Sequence, residues 1–219
     1  MRKLVRPLVH LLCLVPMTVM WAELLLGRIR GEWIKEITHT TGYWGLILIT
    51  SSLAVTPLRR LFGWNWLQTY RRPIGLYGFF YICVHFLVIY IILDKQVPFD
   101  PAFALREIVE DIAKRPYITV GFTGFVLMIP LALTSTKASI RRLGKKWVTL
   151  HSLIYVTALA GVVHFMWSVK ADRYRPTVIG LVLVLLLALR LVPPHILGRL
   201  RSARRAPSGP AVEPTASRV

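Results

Sequence analysis

Residues 147–169 read WVTLHSLIYVTALAGVVHFMWSV, an apolar block that contains two histidines and no Asp, Glu, Lys or Arg. A helix needs about 20 predominantly apolar residues to cross the hydrocarbon core of a bilayer, and this block is long enough. It is also too long and too continuous to be the half-buried helix of a soluble globule. The block therefore predicts a membrane-spanning helix.

Five other apolar segments repeat this pattern, so the sequence predicts an all-α, six-helix transmembrane bundle. The predicted segments are Leu8–Leu26, Tyr43–Leu58, Ile74–Leu93, Tyr117–Leu133, Trp147–Val169 and Thr177–Val192. The second and sixth are short for a span and could thin the bilayer locally or extend at their ends. We expect one transmembrane domain over residues 8–192, an N-terminus of residues 1–7 and a basic, disordered tail over residues 193–219.

The distribution of charge predicts the orientation of this bundle. A formal net charge of +18 would suit a nucleic-acid-binding protein, but the basic residues lie between the apolar segments, where they set membrane topology. The two termini and the loops on their side carry 18 Lys and Arg, whereas the other side carries 10. The positive-inside rule therefore predicts that both termini are cytoplasmic.

The longest loop on the opposite, outer side spans residues 94–115 and predicts an amphipathic helix. Asp100-Pro101 could cap and start it. Its apolar stripe would consist of Leu105, Ile108, Val109 and Ile112. Such a helix either lies on the membrane surface or docks an external partner.

Histidines in two of the segments lie at similar depth. His85 precedes Leu93 by eight residues and His164 precedes Val169 by five, which places them about 12 Å and 8 Å from the same membrane face. Ionisable residues inside a membrane are functional candidates, and neutral imidazole is a common axial ligand of haem iron. The pair predicts a haem held between segments three and five.

A third histidine, His151, lies in the inner half of segment five, about 20 Å from His164 along the helix. This leaves room for a second haem, although the two side chains differ by about 220° around an ideal helix. Segment three has no histidine at that depth. A second haem would take His10 as its other ligand or remain five-coordinate. We expect His39 at the outer membrane boundary and His195 in solvent near the inner surface.

Several short stretches resemble the MsrQ (YedZ) family of ferric-reductase-like transmembrane proteins, and the similarity extends over nearly the whole chain to about Leu191. The most specific stretches are residues 143–151, LGKKWVTLH, and residues 164–170, HFMWSVK. Other similar stretches are residues 37–42, ITHTTG, residues 56–58, TPL, residues 115–121, RPYITVG, and residues 133–136, LTST, together with Tyr155.

The resemblance implies the membrane subunit of a bacterial methionine sulfoxide reductase system. Such a subunit lies in the inner membrane, takes electrons from the quinol pool and passes them to MsrP, a periplasmic molybdopterin enzyme, with which it forms a heterodimer. The family's haem b ligands correspond to His85, His151 and His164, with one or two haems. FMN is a further cofactor that the resemblance implies. We expect sulfoxide reduction in the partner and no catalytic residue in this chain.

Two other functions remain open from the sequence. The chain could reduce ferric iron or oxygen directly at the outer face, although it has no Gly-rich nucleotide fingerprint with which to collect electrons from a nicotinamide. It could also be a non-redox transporter or scaffold with structural histidines. Cys13 and Cys83 form no CxxC or CxxCH motif, which argues against zinc and covalently attached haem. The electron source, a quinol or a cytosolic flavin reductase, also stays open.

Overall fold

A computed structural model describes residues 2–29, 31–94, 101–169 and 173–193, and it contains helices and no strand within these ranges. The α-helices are α1 (Arg2–Leu25), α2 (Trp33–Phe62), α3 (Gln68–Cys83), α4 (Pro101–Lys114), α5 (Pro116–Leu133), α6 (Lys137–Leu143), α7 (Lys145–His151), α8 (Leu153–Ser168) and α9 (Tyr174–Leu191). A 3₁₀ turn, Asn65–Leu67, precedes α3, and a π-helical stretch, Val84–Asp94, continues it.

Six of the described helical stretches are long and apolar enough to cross a membrane, which confirms the six-helix, all-α prediction. They are Val5–Leu25, Trp33–Phe62, Asn65–Asp94, Pro116–Leu133, Lys145–Ser168 and Tyr174–Leu191. The cytoplasmic placement of the termini stays a prediction. The predicted tail, apart from its first residue Pro193, lies outside the described residues, and so does His195.

The second span is longer than the sequence predicted, because the polar residues before Tyr43 are helical. The hydroxyl of Thr38 donates to the carbonyl of Ile34 at 2.7 Å, and that of Thr41 donates to the carbonyl of Ile37 at 2.8 Å. Each hydroxyl is thus satisfied by its own helix and does not need water. Of the two alternatives for this short segment, the structure shows extension at its ends, to Trp33 and Phe62.

Two helix pairs form the centre of the bundle. The most extensive packing joins α2 to α3 and α5 to α8, while α1 packs on α2 and α3, and α9 packs on α2 and α8. Glycine allows the first pair to approach closely: a Cβ on Gly78 would lie 3.1 Å from the backbone nitrogen of Ile49. Small residues at helix contacts are typical of membrane proteins.

A buried tyrosine attaches α1 to this centre. Tyr81, 1% exposed, donates from its hydroxyl to the carbonyl of Cys13 at 2.9 Å and accepts from the N–H of Met17 at 2.9 Å. Cys13 and Met17 are the two ends of one helical turn, and Pro16 lies within that turn. The hydroxyl therefore stabilises α1 where a proline weakens its backbone ladder.

The side chain of Arg190 compensates for a proline inside α2 in a similar way. Pro57 lies inside α2 and has no N–H, so the carbonyl of Leu53 lacks its usual helical donor. Arg190 of α9 donates to that carbonyl from Nη2 at 2.6 Å and to the hydroxyl of Tyr155 from Nη1. These contacts explain how a half-buried cation is accommodated in a span.

Helix α4 lies beside α5 and defines what we term the α4 end of the bundle. It begins at Pro101, and the predicted cap Asp100 lies outside the described residues. Its buried face consists of Ala104, Ile108 and Asp111, whereas Leu105 and Val109 are 62% and 58% exposed. The predicted apolar stripe is therefore divided, with Ile108 packed inward, Ile112 partly buried, and Leu105 and Val109 facing outward.

Candidate functional site

The histidines predicted to meet, His85 and His164, do face each other. Their ring centroids lie 6.2 Å apart, with an angle of 82° between the ring planes. His85 is the second residue of the π-helical stretch, and His164 lies in the last turns of α8. The structure thus brings the two rings together, and their role as haem ligands stays a prediction.

Backbone carbonyls determine which nitrogen of each ring is free. Nδ1 of His85 lies 2.9 Å from the carbonyl oxygen of Thr38, and Nδ1 of His164 lies 2.7 Å from that of Tyr117. A carbonyl only accepts hydrogen bonds, so the proton of each neutral imidazole is on Nδ1. Both Nε2 atoms therefore keep a lone pair, which is the state that a metal-ligating histidine requires.

The two rings line a cavity of about 710 Å³ between the central helices. Its deep part is apolar and aromatic, with Leu46, Ile49, Phe86, Phe125 and Met128 among the lining residues. Its α4 end is polar and includes Lys35, His39, Tyr90, Asp111 and Arg115. A large apolar cavity with a few polar groups at one end suits a flat organic cofactor with a polar edge.

Polar side chains at the α4 end join α4 to the cavity wall. Asp111, 8% exposed, accepts from the hydroxyl of Tyr90 at 2.9 Å and from Nε of Arg115 at 3.0 Å. The hydrogen bond of Arg115 with the Tyr117 side chain, and then the Asp111 carboxylate, raise the pKa of the Arg115 guanidinium. This arrangement holds α4 beside the cavity mouth.

The other predicted ligands lie elsewhere. His151 stacks on Trp147 at 3.9 Å between ring centroids, and its Nε2 lies 3.0 Å from the hydroxyl of Thr134. Nδ1 of His10 lies 3.0 Å from the hydroxyl of Tyr77. Neither histidine is among the residues that line the cavity. His39, which the sequence placed at the membrane boundary, is a lining residue because α2 begins at Trp33.

The donor set of the cavity fits haem iron better than a bare metal ion. The described residues contain no group of three or more His, Cys, Asp or Glu that could hold an ion alone. Two imidazoles would supply two bonds to the iron, and a porphyrin would supply the rest. The separation of 6.2 Å between centroids accommodates two imidazole–metal bonds of about 2 Å each together with the two ring radii.

Sequence reasoning missed the residues that orient the two ligands. The carbonyls that bind the imidazoles belong to Thr38 and Tyr117, and both lie in stretches that were noted only for their family resemblance. The available signal was a glycine four residues after each of them, Gly42 and Gly121. It could not be interpreted without knowing which helices touch.

Comparison with known proteins gives a consistent result. The family described as ferric reductase like transmembrane component matches residues 41–162, which include His85 and His151. A Rhodospirillum rubrum protein named protein-methionine-sulfoxide reductase heme-binding subunit MsrQ is 44% identical over 207 residues, with 94% of this chain and 95% of that protein covered. A protein of the same name from Ralstonia nicotianae is 46% identical over 190 residues, with 85% and 84% covered. No solved structure matches the chain.

Proposed function

Since the chain belongs to the MsrQ family of ferric-reductase-like transmembrane proteins, and is a multi-pass membrane protein, we propose that it binds one b-type haem between His85 and His164 and conducts electrons through it. The observation that carries this proposal is the pair of imidazoles 6.2 Å apart, each with Nδ1 bonded to a carbonyl. The names of its relatives supply the class of cofactor.

Haem supplies reversible one-electron chemistry when it is bound. The residues of this chain orient it and control its surroundings. His85 and His164 would hold the haem through Nε2, and the aromatic wall, which includes Phe86 and Phe125, would surround it with apolar groups. The apolar surroundings and the hydrogen bonds to both ligands would tune the reduction potential. Electron transfer through the haem would need no acid or base from this chain.

The physiological acceptor that we propose is MsrP, the periplasmic molybdopterin sulfoxide reductase, in a heterodimer with this chain. The word subunit in the relatives' names supports a separate catalytic partner. The charge distribution, with 18 Lys and Arg on the side of the termini, favours a periplasmic α4 end in the bacterial inner membrane. The polar end of the cavity would then face that partner.

The proposed electron donor is the quinol pool. In purified protein, a soluble quinol should reduce the haem, and addition of MsrP and methionine sulfoxide should then reoxidise it. This result would support quinol as the donor and MsrP as the acceptor. Reduction only by a flavin reductase with NADH would indicate that a flavin reductase, and not quinol, is the electron donor. Oxidation by ferric chelates at the same rate without MsrP would favour the direct ferric reductase. FMN enters the proposal only through the family resemblance, and flavin fluorescence after acid release tests it.

The haem site is tested by replacing each histidine in turn. We expect one haem per chain by the pyridine haemochrome assay, with sharp α and β bands on reduction. His85→Ala and His164→Ala should abolish most of the bound haem, whereas His10→Ala, a control on α1, should retain it. Full haem content in either of the first two variants would refute the proposed ligands.

A further inference from the structure

Two glycines adjoin the rings of the proposed ligands, and we propose that Gly42 and Gly121 are positioning residues that hold His85 and His164 on backbone carbonyls. This inference rests on the proposed haem site and concerns how the chain prepares it. Each ring enters what we term a notch, which consists of a glycine and the helix carbonyl four residues before it.

The notch on α5 is the tighter of the two. A Cβ added to Gly121 would lie 2.5 Å from Nδ1 of His164, 2.8 Å from its Cγ and 2.9 Å from its Cε1. Any side chain at this position would therefore overlap the ring itself. The ring could relieve the overlap only by moving away from Tyr117, to whose carbonyl it is bonded at 2.7 Å.

The notch on α2 repeats the arrangement with a looser fit. A Cβ on Gly42 would lie 3.1 Å from both Cε1 and Nδ1 of His85. The carbonyl that the ring reaches belongs to Thr38, again four residues earlier, and Thr41 adds a hydroxyl 3.4 Å from Nδ1. An alanine here would displace the ring by a few tenths of an ångström.

The spacing of four residues has a physical reason. In an α-helix the carbonyl of residue i accepts from the N–H of residue i+4, so residue i+4 lies directly beside that carbonyl. A carbonyl oxygen has two lone pairs, and the second can accept an imidazole N–H if no Cβ obstructs the approach. Glycine at i+4 is therefore what allows a ring from a neighbouring helix to reach the backbone.

The consequence for the site is chemical as well as steric. A ring in its notch must carry its proton on Nδ1, so Nε2 is unprotonated before any cofactor arrives. A hydrogen bond from the distal nitrogen also raises the basicity of a metal-ligating imidazole, and loss of such a partner typically weakens metal binding about 10–100-fold. The two notches thus fix tautomer, orientation and ligand strength together.

The experiment is a graded alanine series with one control variant. Gly121→Ala should weaken haem binding about 10–100-fold, and Gly42→Ala should have a smaller effect. Gly75→Ala, which lies outside the cavity lining and whose Cβ would meet Ser52 at 3.5 Å, should bind like the wild type. Haem titration of the purified proteins measures the affinity.

A readout in the haem-free protein separates this inference from the haem proposal. In ¹⁵N NMR of histidine-labelled protein, His85 and His164 should both show a protonated Nδ1, and Gly121→Ala should move the His164 proton toward Nε2. A wild-type proton on Nε2 of both rings, or equal spectra and haem affinity for Gly121→Ala and Gly75→Ala, would overturn the notches. If the wild type binds no haem, the proposed function fails while the NMR result still decides this inference.

Two further measurements keep the test decisive. Size-exclusion chromatography and circular dichroism establish whether each variant is folded, and if Gly121→Ala is not, Gly42→Ala with its milder contact takes its place. In variants that still bind haem, the midpoint potential should rise, because a less basic imidazole stabilises the ferric state less. A potential unchanged in Gly42→Ala, despite weaker binding, would indicate a steric role alone and overturn the proposed tuning.

Discussion

The hydroxyl of Tyr81 should contribute measurably to stability, and Tyr81→Phe removes that hydroxyl alone. The ring is 1% exposed, so a phenyl group fills nearly the same space and creates no cavity of consequence. What is lost is the bridge between the carbonyl of Cys13 and the N–H of Met17, with both contacts at 2.9 Å. The substitution therefore isolates two hydrogen bonds in the apolar interior.

The magnitude follows from what such bonds contribute. A typical intramolecular hydrogen bond contributes about 0.5–1.5 kcal/mol, so that two contribute about 1–3 kcal/mol. Side-chain hydrogen bonds between membrane helices average about 0.6 kcal/mol, which places the lower limit near 1 kcal/mol. Because Pro16 lies in the same turn of α1, that turn cannot simply restore a full backbone ladder. We expect unfolding to become easier by about 1–3 kcal/mol.

The assay is equilibrium unfolding in mixed micelles, followed by circular dichroism at a fixed haem content, because bound haem also stabilises the folded state. Tyr70→Phe is the matched control: Tyr70 is buried on the same helix, and its hydroxyl has no hydrogen bond to another described residue. A loss in Tyr81→Phe no greater than that in Tyr70→Phe would refute the role assigned to the bridge.

Two other predictions concern the ends of the bundle. Arg190→Met should lower the free energy of unfolding. This loss should be about 1 kcal/mol smaller in a Pro57→Ala background, because alanine returns a backbone N–H donor to the carbonyl of Leu53. Additive losses in unfolding experiments would contradict this coupling. Asp111→Ala should increase amide hydrogen exchange in α4 about tenfold, because it removes the hydrogen bond to Tyr90 and the ion pair with Arg115. Substitution of the exposed Glu110 by alanine should not have this effect. Equal exchange in the two variants would contradict the anchoring role of Asp111.

The pairing of His85 with His164 could be predicted because the bilayer surface is a common reference from which the depth of each residue can be counted. The ends of two apolar segments must lie near the same bilayer surface, so a count of residues from each end gives the depth of each histidine. The same reasoning could not give the direction of a side chain around its helix. That depends on the π-helical stretch Val84–Asp94, which shifts the hydrogen-bond register immediately before His85.

The π-helical stretch leaves no trace in the composition of the chain. Residues 84–94, VHFLVIYIILD, contain neither Gly nor Pro and fit an α-helix equally well by hydropathy. The start of α2 was misplaced for a related reason, because Thr38, His39 and Thr41 look like the end of an apolar segment. Their hydroxyls and ring are satisfied by helix carbonyls or face the cavity, and only the packed structure provides those partners.

The tautomers also bear on the number of haems. The hydroxyl of Thr134 donates to the carbonyl of Pro130 at 2.6 Å, so toward His151 it can only accept, and the proton of that ring is on Nε2. This is the reverse of His85 and His164, whose Nε2 atoms are free. A second haem on Nε2 of His151 would have to break the bond to Thr134 and disturb the stacking on Trp147. We therefore expect one haem per chain, retained in His151→Ala, and a haemochrome ratio of two would mean that this half of the bundle rearranges when haem binds.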